Sequence, residues 1–133
     1  MKRLHYSLLM LLFLFMATVN AYSCDCAESR QNKEFKRSAA VFVGEFIREN
    51  EFGVELKVTK VWKGATAEQI ILLEYIDIAG CDYDLRFISG NKYLIYAVEV
   101  GRGKLVISVD CGRSRAIEDA KADLKKMDKL AKN

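Results

Sequence analysis

Two cysteines with one residue between them, Cys24 and Cys26, stand beyond the most apolar stretch of this 133-residue chain, with seven residues intervening, and only Cys81 and Cys111 follow them. On an extended chain, residues two apart point to the same side. A Cys24 to Cys26 bond would close a tiny, strained ring, so each is expected to reach a distant partner. An even cysteine count in an exported chain predicts two disulfides. Each would close a long loop, worth about 4 kcal/mol in the chain-entropy treatment, although overlapping loops do not add fully. The segment Cys24 to Cys26 is thereby tied to two separate parts of one small domain.

Export is what the N-terminus predicts. Lys2 and Arg3 form a basic start, Leu8 to Met16 an apolar core, and Ala17 to Ser23 a more polar exit containing small residues. The core is too short for a membrane-spanning helix, which needs about 20 apolar residues. Residues 1–23 therefore read as a signal peptide and residues 24–133 as the mature domain. Ala21-Tyr22-Ser23 places small residues before Cys24, and Val19-Asn20-Ala21 offers a second cut before Tyr22. Cleavage at the first makes Cys24 the new N-terminus.

Removing Lys2 and Arg3 leaves 19 basic against 18 acidic side chains, so the formal charge falls from +3 to +1. That balance, with no basic stripe interleaved with aromatics, gives no case for nucleic acid. The single histidine, His5, lies in the leader. The mature chain thus lacks histidine for a catalytic triad, a general base or a zinc site. Paired acids occur at Asp82 and Asp84, and at Glu118 and Asp119. They read as solvated loop carboxylates, Trp62 and the tyrosines as packing, and Gly101 with Gly103 as a hairpin turn. A binding protein is expected rather than an enzyme, with no cofactor and no metal of its own.

Patterning predicts a mostly β domain. Residues 27–36 suit a short helix turning Phe35 inward. Ala40 to Ile47 reads as a strand, with Gly44 marking a bulge or bend. Asn50 to Gly53 is a turn, and Val54 to Lys60 alternates apolar with polar, the mark of a strand with one buried face. The phase shifts at Val61-Trp62, and Lys63-Gly64 turns the chain. Gln69 to Ile78, Lys92 to Val98 and Lys104 to Val109 complete five strands. In the tail, Ile117, Ala120, Leu124, Met127 and Ala131 recur at helical spacing, with Ser114 as candidate N-cap and Glu118 and Asp119 near the first turn. Five strands and a helix fit a small closed barrel of the oligonucleotide/oligosaccharide-binding (OB) type, with a β-sandwich as the competing architecture.

Several stretches in order also carry a family likeness. They are Cys24-Asp25-Cys26, Ala40-Val41-Phe42-Val43-Gly44-Glu45-Phe46, Val61-Trp62-Lys63-Gly64, Cys81, Gly90 to Ala97, and Cys111 before the final helix. With them the chain resembles the tissue inhibitors of metalloproteinases, in their netrin-like OB domain, and more closely their short bacterial-type relatives. The resemblance implies a five-stranded barrel with disulfides Cys24–Cys81 and Cys26–Cys111. It implies as partner an extracellular zinc metalloproteinase, whose metal the amine and carbonyl of Cys24 would chelate while Asp25 enters the specificity pocket. Inhibitors of this kind usually place a small or uncharged residue where this chain has Asp25. The competing expectations are a non-inhibitory netrin-like module that binds an extracellular protein or glycan, and a lipid anchor at Cys24. The lipid would consume the thiol and cap the amine. Ala21-Tyr22-Ser23-Cys24 departs from the lipoprotein pattern, which has an aliphatic residue three before the cysteine and a small one two before.

Overall fold

The computed structural model describes residues 30–64, 67–73, 85–107 and 112–132. Helix α1 (Gln31–Arg37) leads into strands β1 (Ala40–Asn50), β2 (Gly53–Lys63), β3 (Gln69–Leu73), β4 (Lys92–Glu99), β5 (Leu105–Ile107) and β6 (Arg115–Ala116), and helix α2 (Lys121–Leu130) follows. Strands are joined in the order β1-β2-β3-β5-β4, and β4 pairs back onto β1. The protein is thus a closed five-stranded mixed barrel with a C-terminal helix, an OB-type fold. Every contact is antiparallel except β3 with β5.

Two strands are almost continuously apolar because both of their faces are covered. Ala40 and Phe42 of β1, with Tyr93, Ile95 and Ala97 of β4, point into the barrel, where Val54, Leu56, Ile70, Leu72 and Ile107 meet them. The alternate residues Val41, Leu94 and Tyr96 point outward and are covered by Ala120 and Met127, with Phe35, Trp62 and Leu124 packed around them. Strand β2 keeps one wet face, as its alternation predicts. Val54 and Leu56 are buried while Lys57 and Thr59 are exposed, the exception being Glu55, buried and paired with Arg48 at 2.6 Å.

Strand β1 must bend to serve two neighbours. It pairs with β2 from Val41 to Asn50 and with β4 from Ala40 to Glu45, and its register with β2 slips at three places, one of them between Val43 and Gly44. A Cβ on Gly44 would stand 3.0 Å from Leu56 Cβ and 3.2 Å from Phe42 Cε2, so glycine allows the core to close on the backbone there. The turns match expectation. Asn50 pairs with Gly53, and the Phe52 amide donates to Asn50 Oδ1 at 2.9 Å. At the β4–β5 hairpin, Gly101, Arg102 and Gly103 all have positive φ.

Four details depart from the sequence reading. Strand β2 runs through Lys63, and the chain turns at Gly64. The tail helix begins at Lys121, after a turn holding Ile117 to Asp119, and Ala120 at its N-cap position makes no side-chain cap. Ser114 is no cap: its hydroxyl accepts from the Tyr96 amide at 2.8 Å, and it is buried against β4. The end of the apolar stripe is Leu130, since Ala131 is exposed.

Gly64 is the most constrained turn. Its φ is +70°, and a Cβ there would lie 2.0 Å from the carbonyl oxygen of Ala39, whose own amide starts β1 by donating to Ala97 at 2.7 Å. Gly64→Ala is expected to lower stability by about 2–4 kcal/mol, from left-handed strain plus displacement of residue 39. Urea unfolding should show a lower midpoint at an unchanged slope.

Candidate functional site

Cys24, Asp25, Cys26, Cys81 and Cys111, together with Asp82 and Asp84, lie outside the described residues. The first described residues after Cys81 and after Cys111 come together. The segment starting at Leu85, four residues after Cys81, and the segment starting at Gly112, directly after Cys111, both line one cavity of about 440 Å3. Leu85, Arg86, Ile88, Asn91 and Tyr93 come from the first segment, and Gly112, Ser114, Arg115, Ala116, Glu118 and Asp119 from the second. The expected surface acids Glu118 and Asp119 are indeed exposed, and here they share a rim with Arg86 and Arg115.

Strand pairing explains why the two segments meet. Strand β4 offers one edge to β1. Along its other edge β5 takes Ala97 to Glu99, while β6 takes Tyr93 and Leu94. The chain therefore leaves β4 at the hairpin, runs along it as β5, and returns to its start as β6. There it lies beside the loop that enters β4.

Each segment is held by a buried polar group. Tyr93 is 1 % exposed, and its hydroxyl accepts from the Ile88 amide at 2.8 Å and donates to the Arg86 carbonyl at 3.0 Å. Its ring meets Phe87 at 4.8 Å, and Phe87 stacks on Phe46 at 5.6 Å. The Phe46 amide donates to Asn91 at 2.9 Å. The loop of residues 85–91 is thus anchored on β1 and β4 together.

For the second segment the anchor is Asp123, 3 % exposed. Its carboxylate accepts from Arg113 Nε at 2.8 Å and Nη2 at its second oxygen, and from the Tyr96 hydroxyl at 3.1 Å. A carboxylate this buried is stable only with such partners, and a two-pronged arginine is the strongest available. Gln31 Nε2 of α1 donates to the Asp123 carbonyl at 2.8 Å, so both helices share the knot. Next along the chain, Ser114 is fixed to the Tyr96 backbone. Burial, then the charge of Asp123, holds the Tyr96 phenol well above the usual tyrosine range.

None of Tyr93, Tyr96, Arg113 or Asp123 stood out in the sequence. One signal was present: Asp123 falls on the apolar stripe of the tail helix, three residues after Ala120 and four before Met127. A carboxylate there must find a buried cation. Among the described residues, no group of three histidine, cysteine, aspartate or glutamate side chains could hold a metal ion, and no helix is long and apolar enough to cross a membrane.

The fold and its cavity define a class, an OB-type barrel with a recess at the start of β4, lined by two chain segments. No protein-family model matches the sequence, and no curated protein matches it significantly.

Removing the Tyr96 hydroxyl tests the knot. Tyr96→Phe is expected to cost about 1.5–3 kcal/mol at neutral pH, the range for a hydrogen bond to a charged group. Because the folded phenol keeps its proton while unfolded tyrosine ionises near pH 10, this group's stabilisation is complete below pH 10 and is lost as pH rises beyond it, at up to about 1.4 kcal/mol per unit. The gap between wild type and variant should therefore narrow from pH 9 to pH 11 in urea titrations. A constant gap would contradict a perturbed Tyr96.

Proposed function

We propose that the protein is an exported inhibitor of a zinc endopeptidase, acting through the amine and carbonyl of Cys24. The observation that carries this reading is the convergence of the two cysteine-flanking segments on one cavity. A chain that starts Cys-x-Cys and bonds to both partners needs them within reach of one another, because half-cystine Cα atoms sit only about 4.4–6.8 Å apart. Gly112 adjoins Cys111, and four residues of extended chain span at most about 14 Å from Leu85 to Cys81. Tyr93 and Asp123 anchor the two flanks on the barrel, which supports a rigid rather than a tethered N-terminus.

Rigidity is what the chemistry requires. An α-amine has a pKa near 8, so a useful neutral fraction exists at neutral pH. Catalytic zinc leaves one coordination position for water or an incoming ligand. A pre-positioned amine and carbonyl occupy it without the ordering cost that a free peptide would carry. Asp25 then sets selectivity. Its carboxylate loses several kcal/mol on entering an apolar pocket, so the target is a protease whose pocket presents a cation.

The test uses the naturally processed protein against a panel of zinc endopeptidases. Its intact mass should correspond to a start at Cys24 and to four hydrogens fewer than the reduced chain. One alanine placed before Cys24 is expected to weaken inhibition at least about 100-fold, equivalent to about 2.7 kcal/mol. Equal inhibition by the extended protein, an acyl chain on Cys24, or a start at Tyr22 rejects the mechanism. Partner binding that ignores the extension would instead favour a non-inhibitory barrel module. Asp25→Ala is expected to shift potency toward proteases with apolar pockets.

A further inference from the structure

The near-neutral charge of the mature chain hides a sharp division. Residues 30–37 and 121–132, the two helices and their immediate ends, carry nine lysines and arginines against Glu34, Asp123 and Asp128. The remainder of residues 24–133 holds ten basic and fifteen acidic side chains. Of the three helical acids, Glu34 is fully buried and bridges Arg37 at 3.0 Å, and Asp123 is buried on Arg113. Asp128 lies on the flank of α2, accepting from Trp62 Nε1 at 2.8 Å beside Lys60. The outward faces are therefore cationic. Lys121, Lys125, Lys129 and Lys132 form one exposed stripe opposite Asp123 and Met127, and Arg30, Lys33 and Lys36 are exposed around a shallow recess on α1. The two helices are tied side by side through Gln31 and Asp123.

The fold does not ask for this arrangement. Like charges at i and i+4 weaken a helix, and Lys121 sits in the first turn, where the dipole disfavours a cation. A face kept only for solubility would mix both signs. The composition also selects the partner. Seven of the nine cations are lysines, and none of the exposed large apolar residues, Ile47, Phe52, Val61, Ile71, Ile88 and Val100, belongs to either helix. Protein interfaces are depleted in lysine and centre on buried aromatic or arginine anchors. Forked recognition of individual phosphates or carboxylates favours arginine. Lysine, a hydrated point charge, suits a diffuse anionic plane, where each contributes about fivefold in affinity.

We propose that the helical layer α1–α2 is a membrane-adhesion surface, docking the protein on bilayers rich in anionic lipid without inserting into them. The docking is independent of the Cys24 mechanism and uses a separate set of residues. Each lysine acts through Coulomb attraction, so adhesion is reversible and steeply weakened by salt.

The naturally processed protein is to be sedimented with vesicles of phosphatidylcholine alone, or with 30 mol% phosphatidylglycerol (about one lipid in three, enough for a strongly negative surface). Binding is expected to the anionic vesicles only, and to be lost on raising sodium chloride from about 0.05 to 0.5 M. The triple variant Lys121→Gln, Lys125→Gln, Lys132→Gln should partition about 100- to 200-fold more weakly while melting no lower than wild type. A control triple on the barrel, Lys57→Gln, Lys92→Gln, Lys104→Gln, replaces three equally exposed lysines and should bind nearly as wild type. Absence of binding to anionic vesicles in low salt, equal losses in both triples, or tight capture by soluble dextran sulfate without vesicle binding overturns the proposal.

Discussion

Strand β1 has to hold β2 along its whole length and β4 along its first half, and a straight strand cannot do both around so small a barrel. Gly44 is the residue that relieves this. With no side chain there, Leu56 and Phe42 fold over the backbone itself, and the register with β2 slips just before it. Once β1 bends, β4 closes against it, and β5 and β6 can share the far edge of β4. That sharing brings the segment after Cys111 beside the loop after Cys81. The cavity is a consequence of barrel closure rather than a separate feature.

Polar groups then fix what apolar packing only gathers. A sheet face covered by Met127 and Leu124 could tolerate sliding of the helix, because apolar contacts have little directional preference. The Asp123 carboxylate does not tolerate it. Two arginine nitrogens and a phenol must reach it in one geometry, since an uncompensated buried charge costs several kcal/mol. The same knot fixes α1 through Gln31. Tyr93 performs the equivalent task for the loop before β4 with a neutral hydroxyl, where no charge has to be desolvated.

Much of this architecture was legible in the residues, for reasons that differ by element. The alternation of Val54 to Lys60 revealed a half-buried strand, and the apolar runs within Ala40 to Ile47 and Lys92 to Val98 marked two more strands, although that both of their faces are covered emerges only from the fold. Gly44 announced the bend. The parallel contact of β3 with β5 and the two-residue β6 left no local trace, because pairing between distant segments is set by closure of the whole sheet. Ser114 misled because a serine ahead of an apolar stripe looks like a cap, and only the fold reveals Tyr96 as its partner. The cationic layer was invisible in the net charge, which sums over faces that the fold separates. The cysteines that prompted the inhibitor reading lie outside the described residues, so the site is legible through its neighbours.

Trp62 is the sole tryptophan of the chain, and its indole nitrogen bonds Asp128 on α2 while its ring carries Lys60 at 4.5 Å. Its ring packs at the border between β2 and the helical cluster. The molecule thus contains a native optical reporter at the seam between barrel and helix. Its emission therefore reports on the seating of α2 against the barrel.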